Sequence, residues 1–210
     1  MRTVLLCLIV VAALANWWSR LPRAGTAGRS VELVSKPATT ILVTALVFTS
    51  DAPTAEVVTA VIALTLCLAG DIALLGPPKL FLVGLVAFAL AHVAFIVLFV
   101  RFGLHHRSLA GVAIIVGVVV ATTVGRLILL SARAREPALG IPVAVYLTVI
   151  LTMAVVGWAT GRALVLVGTT AFVLSDALIG WNSFVRPARW QPLAIMVTYH
   201  VAIVSLALSV

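Results

Sequence analysis

The chain of 210 residues is 63% hydrophobic and only 10% charged, with a mean hydropathy of +1.27. This composition excludes a water-soluble domain, because so few charges cannot cover so large an apolar core. The net charge of +8 does not indicate a nucleic-acid partner, since the Arg residues lie in short gaps between apolar runs, where they orient membrane proteins and contact lipid headgroups. We expect an all-α polytopic transmembrane helix bundle that forms one domain.

Eight apolar segments follow one another along the chain, and no gap between them is long enough to hold a soluble domain. A transmembrane helix needs about 20 mostly apolar residues, so most of these segments are long enough to cross a bilayer. The segments lie near 3–18, 35–49, 56–75, 80–100, 108–131, 139–158, 163–182 and 191–210.

The Lys and Arg residues predict the orientation of these segments. Ten of the 14 basic residues lie on the side reached by the gaps after segments 1, 3, 5 and 7: Arg20, Arg23, Arg29, Lys36, Lys79, Arg126, Arg133, Arg135, Arg186 and Arg189. The opposite side holds four, and its gap after segment 2 contains Asp51 and Glu56 without any positive charge. The positive-inside rule therefore predicts a multi-pass protein of the cell membrane with both termini outside the cytoplasm.

Segment 1 has a competing interpretation as a signal peptide. Arg2 precedes its apolar run, and Ala13-Leu14-Ala15 resembles a cleavage site. A signal peptide keeps its basic end inside, whereas in this chain four basic residues follow the run and one precedes it. The charge balance therefore favours an uncleaved helix.

Segment 7 contains a single charged residue, Asp176. An Asp near the centre of a membrane helix costs roughly 2.5 to 3.5 kcal/mol, and such a carboxylate indicates a functional site. At 1.5 Å per residue, Asp176 lies roughly 9 Å, and Asp71 of segment 3 roughly 7 to 8 Å, from the basic side. Tyr146 and Tyr199 lie roughly 9 and 12 Å from it, and Lys36 opens segment 2 there.

Five polar side chains from five segments are thus expected in the same third of the bilayer, with His92 deeper, past the midplane. Each has a structural alternative. Asp71 and Asp176 could cap helix ends or pair with basic side chains, the tyrosines could be interfacial aromatics, and His92 could hydrogen-bond a neighbouring helix. His200 adjoins Tyr199 and must point elsewhere on its helix.

The two halves of the chain share a short sequence similarity. Residues 69–74, AGDIAL, resemble residues 174–179, LSDALI, which lie 105 residues further on. A parallel repeat of four plus four helices would explain this similarity and would bring Asp71 and Asp176 together across a pseudo-twofold axis. The repeat remains one alternative among others.

The chain resembles the YhhN family of integral membrane proteins, which includes the animal lysoplasmalogenases. The motifs that carry the resemblance follow the family order across residues 36–202: Lys36-Pro37, Ala69-Gly70-Asp71, Gly84 to Phe88 with Ala91-His92, Val145-Tyr146, Gly168 to Phe172 with Ser175-Asp176, and Thr198-Tyr199. The resemblance implies an enzyme that hydrolyses the vinyl ether bond of a lysoplasmalogen, a lipid substrate taken from the membrane. The products are a fatty aldehyde and a glycerophospho-headgroup.

This chemistry needs an acid to protonate a carbon, a negative charge near the resulting cation, and a base for water. Asp71 and Asp176 can divide the work if one is protonated and the other ionised. Substrate-binding candidates from the other motifs are Lys36, His92, Tyr146, Ser175 and Tyr199. No cofactor is expected, and no Cys/His spacing predicts a metal site, although two Asp and one His could bind one.

Two other functional classes fit the same residues. Intramembrane Asp and His also serve proton relays, as in a small proton-coupled transporter. A non-catalytic lipid-binding protein would instead hold its Asp residues in ion pairs, without a cavity beside them.

Overall fold

The computed structural model describes residues 1–210, which form helices and no strands. Eight helical segments are long and apolar enough to cross a membrane, which confirms the expected all-α polytopic bundle. They are α1 Arg2–Ser19, α2 Pro22–Val47, α3 Thr54–Leu75, α4 Pro78–Phe102, α5 Arg107–Arg135, α6 Pro137–Ala159, α7 Ala163–Val185 and α8 Gln191–Leu208.

Proline begins three of these helices, because Pro22, Pro78 and Pro137 each open a short 3-10 turn. The first turn of a helix tolerates proline, since its missing N–H would have no partner there. Two π-helical turns also occur, at Ala121–Gly125 within α5 and at Trp181–Val185 at the end of α7. π-Helical turns are rare in proteins, and those that occur are often found at functional sites.

Helix α2 begins at Pro22, well before the start near residue 35 that the sequence suggested. Polar residues interrupt the apolar run here, but the helix continues through them because they pair with one another. The Glu32 carboxylate lies 2.9 Å from Arg20 and 3.2 Å from Arg29. These ion pairs lie at the end of the bundle that carries most basic residues, which we call the basic end.

The main apolar core lies between α2, α3, α4, α6, α7 and α8, with a small contribution from α1. Its largest fully buried side chains include Phe95, Phe99 and Phe172. Helix α5 supplies no residue to this core, and most side chains of Arg107–Val120 are exposed. Helix α5 therefore lies at the periphery of the bundle, with an apolar surface that suits lipid.

Small residues allow two pairs of helices to pack closely. A Cβ atom at Gly70 would lie 2.6 Å from the Phe88 ring, where α3 meets α4. A Cβ atom at Gly168 would lie 2.7 Å from Leu206, where α7 meets α8. Close backbone approach at small residues is the usual basis of helix association in membranes.

Candidate active site

Asp71 lies at the centre of a closed polar network, which we call the Asp71 network. Its Oδ2 atom accepts hydrogen bonds from the hydroxyls of Thr40 and Tyr199, both at 2.7 Å. Its Oδ1 atom faces the Lys36 ammonium at 3.3 Å. The Asp71 side chain is 1% exposed and that of Lys36 is 8% exposed. The network therefore joins α2, α3 and α8: Oδ2 is hydrogen-bonded, and Oδ1 is held by the ion pair with Lys36 without a hydrogen bond.

Lys36 belongs to this network because α2 extends further than expected. Lys36 lies well inside the helix rather than at its start, and it is buried. Thr40 lies four residues later on the same helix face, since i and i+4 side chains are neighbours. The sequence reasoning did not include Thr40, although its i+4 spacing from Lys36 was a usable signal.

Asp176 lies in a second group of polar side chains, which we call the Asp176 network. The Tyr146 hydroxyl donates a hydrogen bond to Asp176 Oδ2. The Nε2 atom of His92 lies 3.8 Å from the same oxygen, too far for a hydrogen bond. Asp176 Oδ1 bonds to no protein group, and neither His92 nitrogen has a hydrogen-bond partner. The network joins α4, α6 and α7 and leaves Asp176 Oδ1 and both His92 nitrogens without a protein partner.

His92 therefore lies beside Asp176. Counting residues along the helix instead predicts a deeper position for His92, past the midplane. Helix α4 runs away from the basic end and α7 runs towards it. Side chains lean towards the N-terminus of their own helix, so His92 leans towards the basic end and Asp176 leans away from it. The two side chains can then meet although their Cα atoms lie at different depths.

No hydrogen bond or ion pair joins the two networks. Aromatic rings fill the space between them: the Phe172 ring lies 5.0 Å from His92 and 5.8 Å from Tyr199. Phe88 also contacts Tyr199, at 5.9 Å between ring centres. Asp71 and Asp176 thus occupy separate polar sites, and with His92 they form no cluster that could hold a metal ion.

An apolar groove opens beside Asp176, and we call it the main groove. It lies between α3, α4, α5, α6 and α7, and Asp176 is the only charged residue that lines it. The Tyr146 ring forms part of its wall, as do Gly125 and Phe184 from the two π-helical turns. It has about 60 Å³ of free volume in this structure, which is below the roughly 300 to 1,000 Å³ typical of ligand sites. Asp71 does not line it.

Two further polar residues have structural partners. The Ser175 hydroxyl donates to the carbonyl oxygen of Ile195 at 3.2 Å, which links α7 to α8. His200 accepts a hydrogen bond from the Trp17 indole at 2.9 Å, so it faces α1, away from both Asp residues. Sequence reasoning also missed the buried Asn16, which donates to Ser35 at 3.1 Å.

Comparison with known proteins supports the resemblance that the motifs indicated. The family model described as the YhhN family matches residues 31–210. The chain belongs to the YhhN family. No solved structure matches the chain.

The YhhN chain is also similar to a curated human protein. It is 30% identical over 140 residues to lysoplasmalogenase TMEM86B of Homo sapiens. The match covers 67% of this chain and 58% of the human protein. The chain therefore spans less than two thirds of the relative's length.

Proposed function

We propose that this protein hydrolyses the vinyl ether bond of a lysoplasmalogen and releases a fatty aldehyde and a glycerophospho-headgroup. The observation that carries the proposal is a single carboxyl group, Asp176, at the wall of an apolar groove within the spanning helices. Family membership and the name of the human relative point to the same reaction.

The reaction begins with transfer of a proton from the acid form of Asp176 to the β-carbon of the vinyl ether. The C=C electron pair forms the new C–H bond, and the α-carbon becomes an oxocarbenium ion. The Asp176 carboxylate lies beside this cation and stabilises it by electrostatic attraction. It then takes a proton from the attacking water, which returns Asp176 to its acid form. The resulting hemiacetal collapses to the aldehyde and the glycerol hydroxyl.

One carboxyl group serves as acid and then as base in this scheme, as one carboxyl does in retaining glycosidases. Tyr146 orients Asp176 through its hydrogen bond to Oδ2 and leaves Oδ1 without a protein partner. His92, with two unpartnered nitrogens, is assigned a role in positioning Asp176, because it lies 3.8 Å from Asp176 Oδ2 and does not line the groove. Asp71 with Lys36, Thr40 and Tyr199 is assigned a positioning role, because this network binds three helices and lies outside the groove.

The groove and the charges support one orientation of the substrate. The alkenyl chain occupies the apolar groove, and the phosphate-bearing end lies towards the basic end of the bundle. We assign this end to the cytoplasm by the positive-inside rule, which puts both termini on the other side of the cell membrane.

The test uses purified protein in nanodiscs with choline and ethanolamine lysoplasmalogens, and aldehyde release is measured. Two lipids serve as matched controls: the corresponding alkyl ether, which has no double bond to protonate, and the corresponding ester. We expect aldehyde from the vinyl ether and no product from the alkyl ether. In D₂O the aldehyde should carry one deuterium on the carbon next to the carbonyl.

Two outcomes would overturn this proposal. Absence of aldehyde with folded protein would exclude the reaction and would leave lipid binding or transport as the function. Hydrolysis of the ester at the same rate would contradict the carbon-protonation step, since ester cleavage proceeds by attack on a carbonyl.

A further inference from the structure

A second apolar groove continues the main groove away from the basic end, and we call it the extension. The two grooves share three lining residues: Val120 of α5, Leu151 of α6 and Val173 of α7. One residue from each of three helices therefore lies at the junction. The two grooves therefore adjoin, and we call the line that leads from Asp176 through both of them the path.

The order of residues along the helices gives the direction of this path. On α5 the extension is lined by Ala113 and Gly117, which precede Val120 on a helix that runs towards the basic end. On α6, which runs the other way, it is lined by Ala154 and Trp158, which follow Leu151. Both helices therefore indicate that the extension leads away from the basic end, towards the other side of the membrane.

The length of the path suits one lipid chain. Helix α6 rises about 18 Å between Tyr146 and Trp158, and α7 rises about 9 Å between Asp176 and Thr170, at 1.5 Å per residue. Trp158 donates a hydrogen bond to Thr170 at 3.2 Å, and both line the extension. One leaflet of the hydrocarbon core is about 15 Å thick, half of the full thickness of about 30 Å.

We propose that the extension binds the distal part of the alkenyl chain and that Gly117 and Ala154 set the longest chain the enzyme accepts. This inference rests on the proposed function for the identity of the lipid. The extension takes a hydrocarbon chain because its walls are largely apolar. It adjoins the groove that contains Asp176 at three shared residues, so a chain with its vinyl ether at Asp176 would reach the extension past Leu151.

Gly117 provides a direct way to shorten this path. A Cβ atom at Gly117 would meet no atom within 4 Å, so a larger side chain can be added there without a clash. Gly111 of the same helix has equally open surroundings but lines neither groove. Both glycines lie within α5, so leucine raises helix propensity equally at the two positions. Gly111→Leu is therefore a matched control for Gly117→Leu.

The first experiment compares kcat/KM for lysoplasmalogens with an octenyl and a hexadecenyl chain. We expect Gly117→Leu to lower the hexadecenyl-to-octenyl ratio by roughly tenfold, since one or a few methylenes in an apolar pocket change specificity by that order. Ala154→Leu, on the facing helix, should act in the same direction. Gly111→Leu should keep the wild-type ratio. An unchanged ratio in both groove variants would overturn the inference.

The second experiment does not need turnover. An alkyl-ether lysolipid with a diazirine at the end of its hexadecyl chain is photolysed with the wild-type protein, and the crosslinked peptides are identified by mass spectrometry. We expect crosslinks in residues 113–117 and 154–158. Crosslinks there without any aldehyde release would support the chain site and overturn the vinyl ether reaction. Aldehyde release with crosslinks elsewhere would do the reverse.

Discussion

Asp71 and Asp176 each lie on the third helix of one half of the chain. Each contacts one helix of its own half and one helix of the other half. Asp71 on α3 is held by α2 of its own half and α8 of the other. Asp176 on α7 is held by α6 of its own half and lies beside α4 of the other. A shift of four helices therefore relates the Asp71 network to the Asp176 network.

The two networks differ in what surrounds the carboxylate. Two hydroxyls bond one oxygen of Asp71 and the Lys36 ammonium pairs with the other, whereas Asp176 has no cationic partner of this kind and is 10% exposed. The register of 105 residues that relates the two Asp residues pairs Lys36 with Ile141, so the second network has no cation at the matching position. Because no cation is paired with Asp176, its carboxyl group is available to a ligand.

The largest effect should follow from Asp176→Asn. Asn has nearly the same size and can still accept the Tyr146 hydrogen bond, but it cannot transfer a proton. We expect kcat for aldehyde release to fall by about 10² to 10⁴, the usual contribution of general acid–base catalysis, with the melting temperature unchanged. Asp51→Asn, at an exposed Asp in the loop after α2, is the control. A variant within threefold of wild type would exclude Asp176 as the acid.

Asp71→Asn should act on stability rather than directly on chemistry. It leaves the Lys36 ammonium buried without a charged partner, which costs about 3 to 5 kcal/mol. Thermal unfolding in one detergent should show a clear loss for Asp71→Asn and for Lys36→Met, and recovery in the double variant. The double variant should also keep measurable turnover per folded protein. A stable double variant with no turnover would assign Asp71 a catalytic role.

Each Asp accepts a hydrogen bond from one tyrosine, and removal of either tyrosine hydroxyl should have a smaller effect than replacement of the Asp. Tyr146→Phe removes the hydroxyl that orients Asp176, and we expect kcat to fall about tenfold, which corresponds to about 1.4 kcal/mol. Tyr199→Phe removes one hydroxyl donor from Asp71, and we expect a stability loss of about 1.5 to 3 kcal/mol, the range for hydrogen bonds to charged groups. Turnover per folded protein should then stay near the wild-type value. Equal effects of both changes on kcat would contradict the distinction between the networks.

The sequence predicted the number of helices because hydropathy depends only on local composition. It did not predict the start of α2, because the charged residues Arg29 and Glu32 look like part of a loop before the apolar run unless their ion pairs are known. The fold class and the family were therefore predictable, whereas the reach of one helix depended on tertiary contacts.

The sequence predicted the depths of the candidate site residues in the membrane, but not which of these residues contact one another. Counting residues placed Asp71, Asp176, Tyr146 and Tyr199 at similar depths, yet it could not assign one tyrosine to each Asp, since helix packing decides the pairs. The direction of the Cα–Cβ bond would have brought His92 closer to the others. The grooves are formed by side chains of several helices, so no single segment of sequence indicates them.

The smallest effect is expected for Ser175→Ala. Its hydroxyl donates to the Ile195 carbonyl at 3.2 Å and points to α8, while the residue 105 positions earlier is Gly70, which has no side chain to do the same. Because α3 and α4 pack without such a bond, α7 and α8 should tolerate its loss at about 1 kcal/mol or less. Melting temperature and KM for the lysoplasmalogen, measured beside wild type, check this. A KM raised tenfold at unchanged stability would instead make Ser175 a substrate-binding residue, as the sequence motif suggested.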